Sequence, residues 1–190
     1  MKRLISKSER EGKTKKKQII VGVSLAFLMV LSVLGFALQG GSGDQDENSS
    51  DKVIYNGFEF EHINELWVVG NFAFRYNPEQ VPDIGFGLKD INNYQGRPVY
   101  IYSESEGAGL EAYANLDQVQ FIQRVRNACI EGIECSEDLP IKTCEDNLII
   151  IRENNISSIR QENNCVYIEG LEEELVELVD QFLFKILRIK

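Results

Sequence analysis

The sequence predicts an α+β protein: an N-terminal transmembrane helix followed by a small, disulfide-stapled extracytoplasmic domain. Three observations support this prediction. Residues 19–38 form a run of twenty residues without charge, directly after a basic tail. Short segments beyond it alternate apolar and polar residues, as strands do. The C-terminal segment carries an apolar stripe at helical spacing. We therefore expect an antiparallel meander, a mixed sheet and a C-terminal amphipathic helix.

Length and charge set the domain plan. The 190-residue chain has room for one anchor and one domain of about 140 residues. Residues 1–18 form a basic tail with eight Lys or Arg and two Glu, whereas the whole chain carries a net charge of -10. The part beyond the anchor is therefore strongly acidic. Because an acidic surface repels phosphate backbones, we expect no nucleic-acid partner.

The uncharged run predicts a single membrane crossing. As a helix, residues 19–38 would span about 30 Å, the thickness of a hydrocarbon core. Lys and Arg precede this run and are absent directly after it, so the N-terminus is predicted in the cytoplasm and the C-terminal domain outside. The alternative is a cleaved signal peptide with Gly35 and Ala37 before the cut, and the sequence leaves open which form is mature. The apolar run is longer than a usual signal-peptide core, which favours a retained anchor at the cell membrane.

A flexible acidic linker, residues 39–51, follows the anchor and consists of Gly, Ser, Asn, Gln and acidic residues. The extracytoplasmic α+β domain is predicted over residues 52–190. Its first part alternates in the manner of an antiparallel meander, with a two-residue turn at Gly70 and Asn71. Asn56 and Gly57 offer a competing hairpin turn, but the preceding arm is short. We therefore place them inside the first strand or at a bulge.

The middle of the domain begins with a long irregular connection, rich in Pro and Gly, before Pro98. A buried strand is predicted at Pro98–Ser103 and a short helix at Gly109–Leu116. The segment Val119–Arg126 fits both a strand and a helix, and its β-branched and aromatic residues favour a strand.

The last part predicts three strands and a helix. The strands are Asn147–Arg152, Ser157–Gln161 and Cys165–Glu169. The helix begins after Leu171, and its apolar face comprises Leu175, Leu178, Val179, Phe182, Leu183, Ile186 and Leu187. Acidic residues open this helix and basic residues close it, which complements the helix dipole. Such a stripe could bind a partner helix or a membrane surface, but packing against a sheet is the preferred interpretation.

The four cysteines, Cys129, Cys135, Cys144 and Cys165, all lie beyond the anchor, which favours disulfides. Four thiols permit three pairings, among which the sequence does not choose. We prefer Cys129 with Cys135 and Cys144 with Cys165. A zinc site or a redox pair is the alternative, but the spacing lacks a CxxC element.

Candidate catalytic groups are sparse. His62 is the single histidine, and it lies in a predicted strand, where a surface or capping role is the preferred interpretation. No serine lies in a GxSxG elbow, and no pair of carboxylates stands out. We therefore predict no catalytic residue, no cofactor and no metal ligand.

The stretch DNLIIIRE, NNCVYIEG and LVDQFLFKILRIK, joined to a basic tail and one anchor, resembles uncharacterised single-pass membrane proteins of archaea. That resemblance implies no activity. The predicted function is a non-enzymatic, membrane-anchored binding or interaction domain, with an envelope protein or another ligand as its partner. The alternatives are an envelope hydrolase that uses paired carboxylates and a cysteine-based metal or redox protein.

Overall fold

A computed structural model of the chain describes Met29 and residues 51–83, 87–135 and 138–190. The predicted basic tail, the predicted linker up to Ser50 and, apart from Met29, the predicted transmembrane helix lie outside these residues. In the part that the structure describes, no helix is long and apolar enough to cross a membrane. All strands and helices below belong to one compact unit, Ser49–Lys190.

The first four strands form an antiparallel meander in chain order, as predicted. They are β1 (Lys52–Tyr55), β2 (Phe58–Ile63), β3 (Leu66–Val69) and β4 (Phe72–Phe74). Val69 pairs with Phe72, so Gly70 and Asn71 form the expected two-residue turn. The meander is thus confirmed as a sheet of its own.

The prediction of a bulge at Asn56 and Gly57 was wrong, because these residues form the hairpin turn between β1 and β2. Tyr55 pairs with Phe58 across them. The φ angles of Asn56 and Gly57 are 48° and 86°, and a turn with two positive φ angles suits the twist of a two-residue hairpin. Turn chemistry therefore outweighs the shortness of the arm.

The second sheet is mixed. In chain order the remaining strands are β5 (Pro98–Ser103), β6 (Arg124–Asn127), β7 (Cys129–Ile130), β8 (Ile141–Lys142), β9 (Asn147–Glu153), β10 (Ser158–Glu162) and β11 (Cys165–Gly170). Five of them form one sheet in the order β10-β11-β9-β5-β6, in which only β10 is antiparallel to its neighbour. The short strands β7 and β8 pair separately and in parallel.

Within residues 51–190, the described part of the chain contains the helices α1 (Glu106–Asp117) and α2 (Leu175–Ile186), and 3₁₀ turns at Ile91–Tyr94 and Glu172–Glu174. The strand predicted over Val119–Arg126 starts only at Arg124. Before it the chain turns, with the N–H of Val119 donating to Leu116 and that of Ile122 donating to Val119. Of the apolar residues that suggested a strand here, Val119 is buried in the turn and Phe121 is exposed in it, while Val125 lies in β6.

Both helices lie between the two sheets. On one side α1 packs against β5 and β6, and α2 packs against β9, β10 and β11. On the other side the ring of Phe184 lies 4.6 Å from that of Phe74 and 5.9 Å from that of Phe60, centre to centre. The predicted apolar stripe of α2 is buried against the mixed sheet. Phe184 lies on the other side of the helix, where the meander covers it.

Asn115 on α1 joins the helix to the edge of the meander. Its side-chain oxygen accepts from the N–H of Ala73 at 3.0 Å, and its side-chain nitrogen donates to the carbonyl of Ala73 at 2.9 Å. The amide therefore pairs with β4 as another strand would, and it satisfies an edge that is otherwise open.

Both preferred disulfides are present, Cys129–Cys135 and Cys144–Cys165. They hold residues 129–135 and 138–146 over the outer face of the mixed sheet, where a second apolar cluster comprises Tyr100, Ala128, Leu148, Ile150 and Cys165. The chain contains no free cysteine.

Candidate functional site

A crevice of the described domain lies at the carboxyl ends of β5 and β6. These neighbouring strands are parallel and are joined by α1, so they form a β–α–β unit. In open sheets of this kind, ligands bind in the crevice beyond the carboxyl ends of the strands. Here the crevice has a volume of about 650 Å³ and lies between α1 and the loop that Cys135 closes.

The first wall is the start of α1, which local polar contacts fix in place. The Ser105 hydroxyl caps the helix by accepting from the N–H of Ala108 at 3.5 Å. The Ser103 hydroxyl donates to the carbonyl of Ser105 at 2.6 Å. Gly109 allows the helix to approach β5 closely, since a Cβ there would lie 2.9 Å from the Cβ of Ser103.

The second wall is the loop between β7 and β8. The parallel pairing of these strands closes its base, and the N–H of Cys129 donates to the carbonyl of Pro140 at 3.0 Å. Gly132 makes the turn with a φ of 88°. The Cys129–Cys135 disulfide then fixes the loop, from which Ile133, Glu134, Cys135 and Leu139 line the crevice.

The crevice has an apolar lining with acidic groups. Leu110, Tyr113 and Ile133 line it with exposed fractions of 61%, 37% and 43%. Glu106 contributes a carboxylate from the first wall and Glu134 one from the second. No Lys or Arg is among the described residues of the lining.

Tyr102 adds a hydrogen-bonding group at the end of β5. Its hydroxyl donates to Oε1 of Glu104 at 3.3 Å. Burial raises the pKa of Tyr102, and the negative charge of Glu104 raises it further. The phenol therefore stays neutral at physiological pH.

Comparison with known proteins assigns no relative to this arrangement. No family model matches the chain, and no curated protein or solved structure matches it. The function is therefore inferred from the chemistry of the crevice.

The residues singled out from the sequence lie elsewhere, with one exception. His62 lies in β2 of the meander, where its ring is 4.7 Å from that of Trp67. Cys135 lies in the crevice lining, but as half of a disulfide. Within residues 51–83, 87–135 and 138–190, no cluster of three or more His, Cys, Asp or Glu residues could hold a metal ion.

A buried carboxyl pair, Glu111 on α1 and Asp180 on α2, was not predicted. Asp180 is fully buried and its Oδ2 accepts from the N–H of Tyr76 at 2.9 Å. Burial raises the pKa of Asp180 well above its usual range, and the charge of Glu111 raises it further. Burial also raises the pKa of Glu111. Neither residue lines the crevice, so the pair belongs to the packing between the helices and the meander.

Proposed function

We propose that this chain is a membrane-anchored, extracytoplasmic binding domain that takes its ligand in the crevice between α1 and the β7–β8 loop. The observation that carries this proposal is the exposure of Leu110 and Ile133 on opposite walls of one cavity. Apolar side chains around a pocket of this size are typical of ligand sites, because a bound ligand removes them from water.

The membrane location is supported by the charge pattern of the N-terminal part. The uncharged segment at residues 19–38 separates the basic residues 1–18 from an acidic domain. The two disulfides support an oxidising compartment for the domain. The linker, residues 39–51, would let the crevice reach partners within roughly 20 Å of the anchor.

A non-enzymatic role is supported by the positions of the reactive groups. The hydroxyls of Ser103 and Ser105 are engaged in building the helix start. The buried carboxyls of Glu111 and Asp180 lie outside the crevice lining, which does not favour a hydrolase built on that pair. All four cysteines are paired, so no free thiolate supports a metal or redox function.

Photocrosslinking in intact cells tests the binding site. A photoreactive phenylalanine analogue would replace Leu110 in the full chain, and in a matched control it would replace Ile156. Both positions are exposed, at 61% and 73%, but Ile156 is not part of the crevice lining. We expect light-dependent adducts, detected by mass spectrometry, at position 110 and not at 156. Adducts at neither position, or equally at both, would contradict the proposal.

Protease added to sealed cells tests the topology separately. We expect the domain, residues 52–190, to be digested while a tag on residues 1–18 is protected. Digestion of the tag with protection of the domain would show the opposite orientation, and release of the domain without proteolysis would show that the anchor is cleaved.

A further inference from the structure

The two walls of the crevice both contribute negative charge. Glu106 stands in the first turn of α1, and Glu134 stands in the loop that the Cys129–Cys135 disulfide fixes. Neither carboxylate forms an ion pair with a described residue. A ligand between the walls would therefore meet two carboxylates without cationic partners.

The start of α1 provides the opposing effect, because a helix N-terminus attracts anions. Its dipole is equivalent to about half a positive charge, whereas the two carboxylates carry two full negative charges. Ser105 already satisfies the N–H of Ala108, and Glu106 itself complements the dipole. The sum of these charges is negative, so the crevice favours a cation.

The rest of the lining favours a hydrocarbon body. Leu110 and Ile133 offer aliphatic surface, and Tyr102 and Tyr113 offer aromatic rings. Aromatic faces attract ammonium and guanidinium groups as well as apolar groups. A cavity of about 650 Å³ lies within the range of sites that enclose small organic molecules.

We infer that the crevice binds small organic cations, in which an ammonium or guanidinium group lies near Glu106 and Glu134 and an apolar body packs against Leu110, Tyr113 and Ile133. This inference rests on the proposed function and adds the chemical class of the ligand. A basic peptide from a larger partner would present the same groups, but a volume of about 650 Å³ fits a free small molecule.

Three probes of similar shape test the charge preference: phenethylammonium, phenethyl alcohol and 3-phenylpropanoate. Each would be titrated against the full chain in phosphatidylcholine nanodiscs at physiological salt, with the heat from empty nanodiscs subtracted. We expect the cation to bind about tenfold more tightly than the anion, with the alcohol between them, since two exposed ionic contacts supply an effect of this size.

Matched charge variants locate the effect. We expect the double variant Glu106→Gln and Glu134→Gln to lower the affinity for phenethylammonium about tenfold and leave that for the alcohol unchanged. The control is Glu79→Gln and Glu173→Gln, two exposed residues outside the lining with the same loss of charge. At physiological salt a distant charge is largely screened, so this control should bind as the natural chain does. Thermal unfolding of both variants would verify that they fold.

Different failures point to different errors. If the three probes bind equally, or if the anion binds best, the inferred ligand class is wrong while the binding site stands. If the crevice and control variants lose affinity equally, bulk charge rather than the crevice attracts the cation, and the inference is likewise overturned. If no probe binds and no adduct forms at position 110 in cells, the proposed function fails as well.

Discussion

The two faces of the mixed sheet come from the same strands but are covered in different ways. Alternate residues such as Ile101, Ile149 and Ile168 face α1 and α2, and at most 2% of their surface is exposed. The opposite face, around Tyr100 and Leu148, is covered by residues 129–135 and 138–146, which contain no helix and which two disulfides hold in place. Apolar burial thus secures one face, whereas covalent bonds secure the other.

Charged side chains also cover the outer face, which the inner face does not permit. Nζ of Lys142 lies 4.1 Å from the centre of the Tyr100 ring, and the guanidinium of Arg160 lies 3.9 Å from that of Tyr167. Such cation–π contacts are worth about 0.5–1 kcal/mol each at exposed sites. The comparison teaches that a sheet face without a helical layer can be covered by cross-linked segments and cationic side chains in its place.

The largest expected effect falls on the inner side. Phe184→Ala removes a fully buried ring that contacts two rings of the meander. We expect a loss of about 3–5 kcal/mol in the free energy of unfolding, measured by urea denaturation of the full chain. Phe121→Ala, at a turn position where the ring is 39% exposed, is the control and should cost below about 1.5 kcal/mol. Equal losses would mean that the helical layer does not secure the inner face.

The next effect tests the outer face. The double variant Cys144→Ala and Cys165→Ala opens a bridge with a sequence separation of 21 residues. We expect a loss of about 3 kcal/mol, since a closed loop of this length restricts the unfolded chain. Urea denaturation followed by circular dichroism measures it.

The control opens the other bridge, Cys129–Cys135, whose separation is 6 residues, and should cost about 2 kcal/mol. This second variant should impair ligand binding more than the first, because its loop forms a wall of the crevice. A larger loss of stability on opening Cys129–Cys135, or a larger loss of ligand binding on opening Cys144–Cys165, would contradict these expectations.

The smallest expected effect, counted for a change of one pH unit, concerns the buried carboxyl pair. The pKa of Asp180 is raised in the folded protein, so the folded state keeps a proton that the unfolded state releases. The free energy of unfolding should therefore fall as the pH rises from about 4 towards the folded-state pKa, by at most about 1.4 kcal/mol per pH unit for one proton.

Asp180→Asn should flatten this dependence, because an amide carries no proton to release. Urea denaturation between pH 4.5 and 8 is the measurement, with exposed Asp117→Asn as the control. A natural chain whose stability rises with pH over this range would show that the pair is ionised in the folded state.

Much of the mixed sheet followed from the sequence, because its strands and its last helix have strong local signals. Both ends of β5 were predicted correctly, and the ends of β9, β10 and β11 were predicted within one residue. The apolar stripe of α2 is buried as expected. Both preferred disulfides are also present, although the sequence itself permitted three pairings. The sequence pattern predicts an element well where the element's own residues determine which of its faces is buried.

The site could not be predicted in this way. Glu106 and Glu134 meet at one crevice only because β5 and β6 pair in parallel, and Glu111 meets Asp180 only because both helices lie between two sheets. The spacing of these residues along the chain does not predict that they lie together. The succession of β5, α1 and β6 was the one available signal, since a β–α–β unit points to the carboxyl ends of its strands.

Cys135 belongs both to a cross-link and to the crevice lining. Oxidation of this sulfur pair would therefore also fix one wall of the proposed binding surface. A chain held in reducing surroundings would still bury its helices between the sheets, but the β7–β8 loop would be held only by the pairing at its base. On the proposed function, the oxidised chain should therefore bind its ligand more tightly than the reduced chain, because only the oxidised chain has this wall cross-linked.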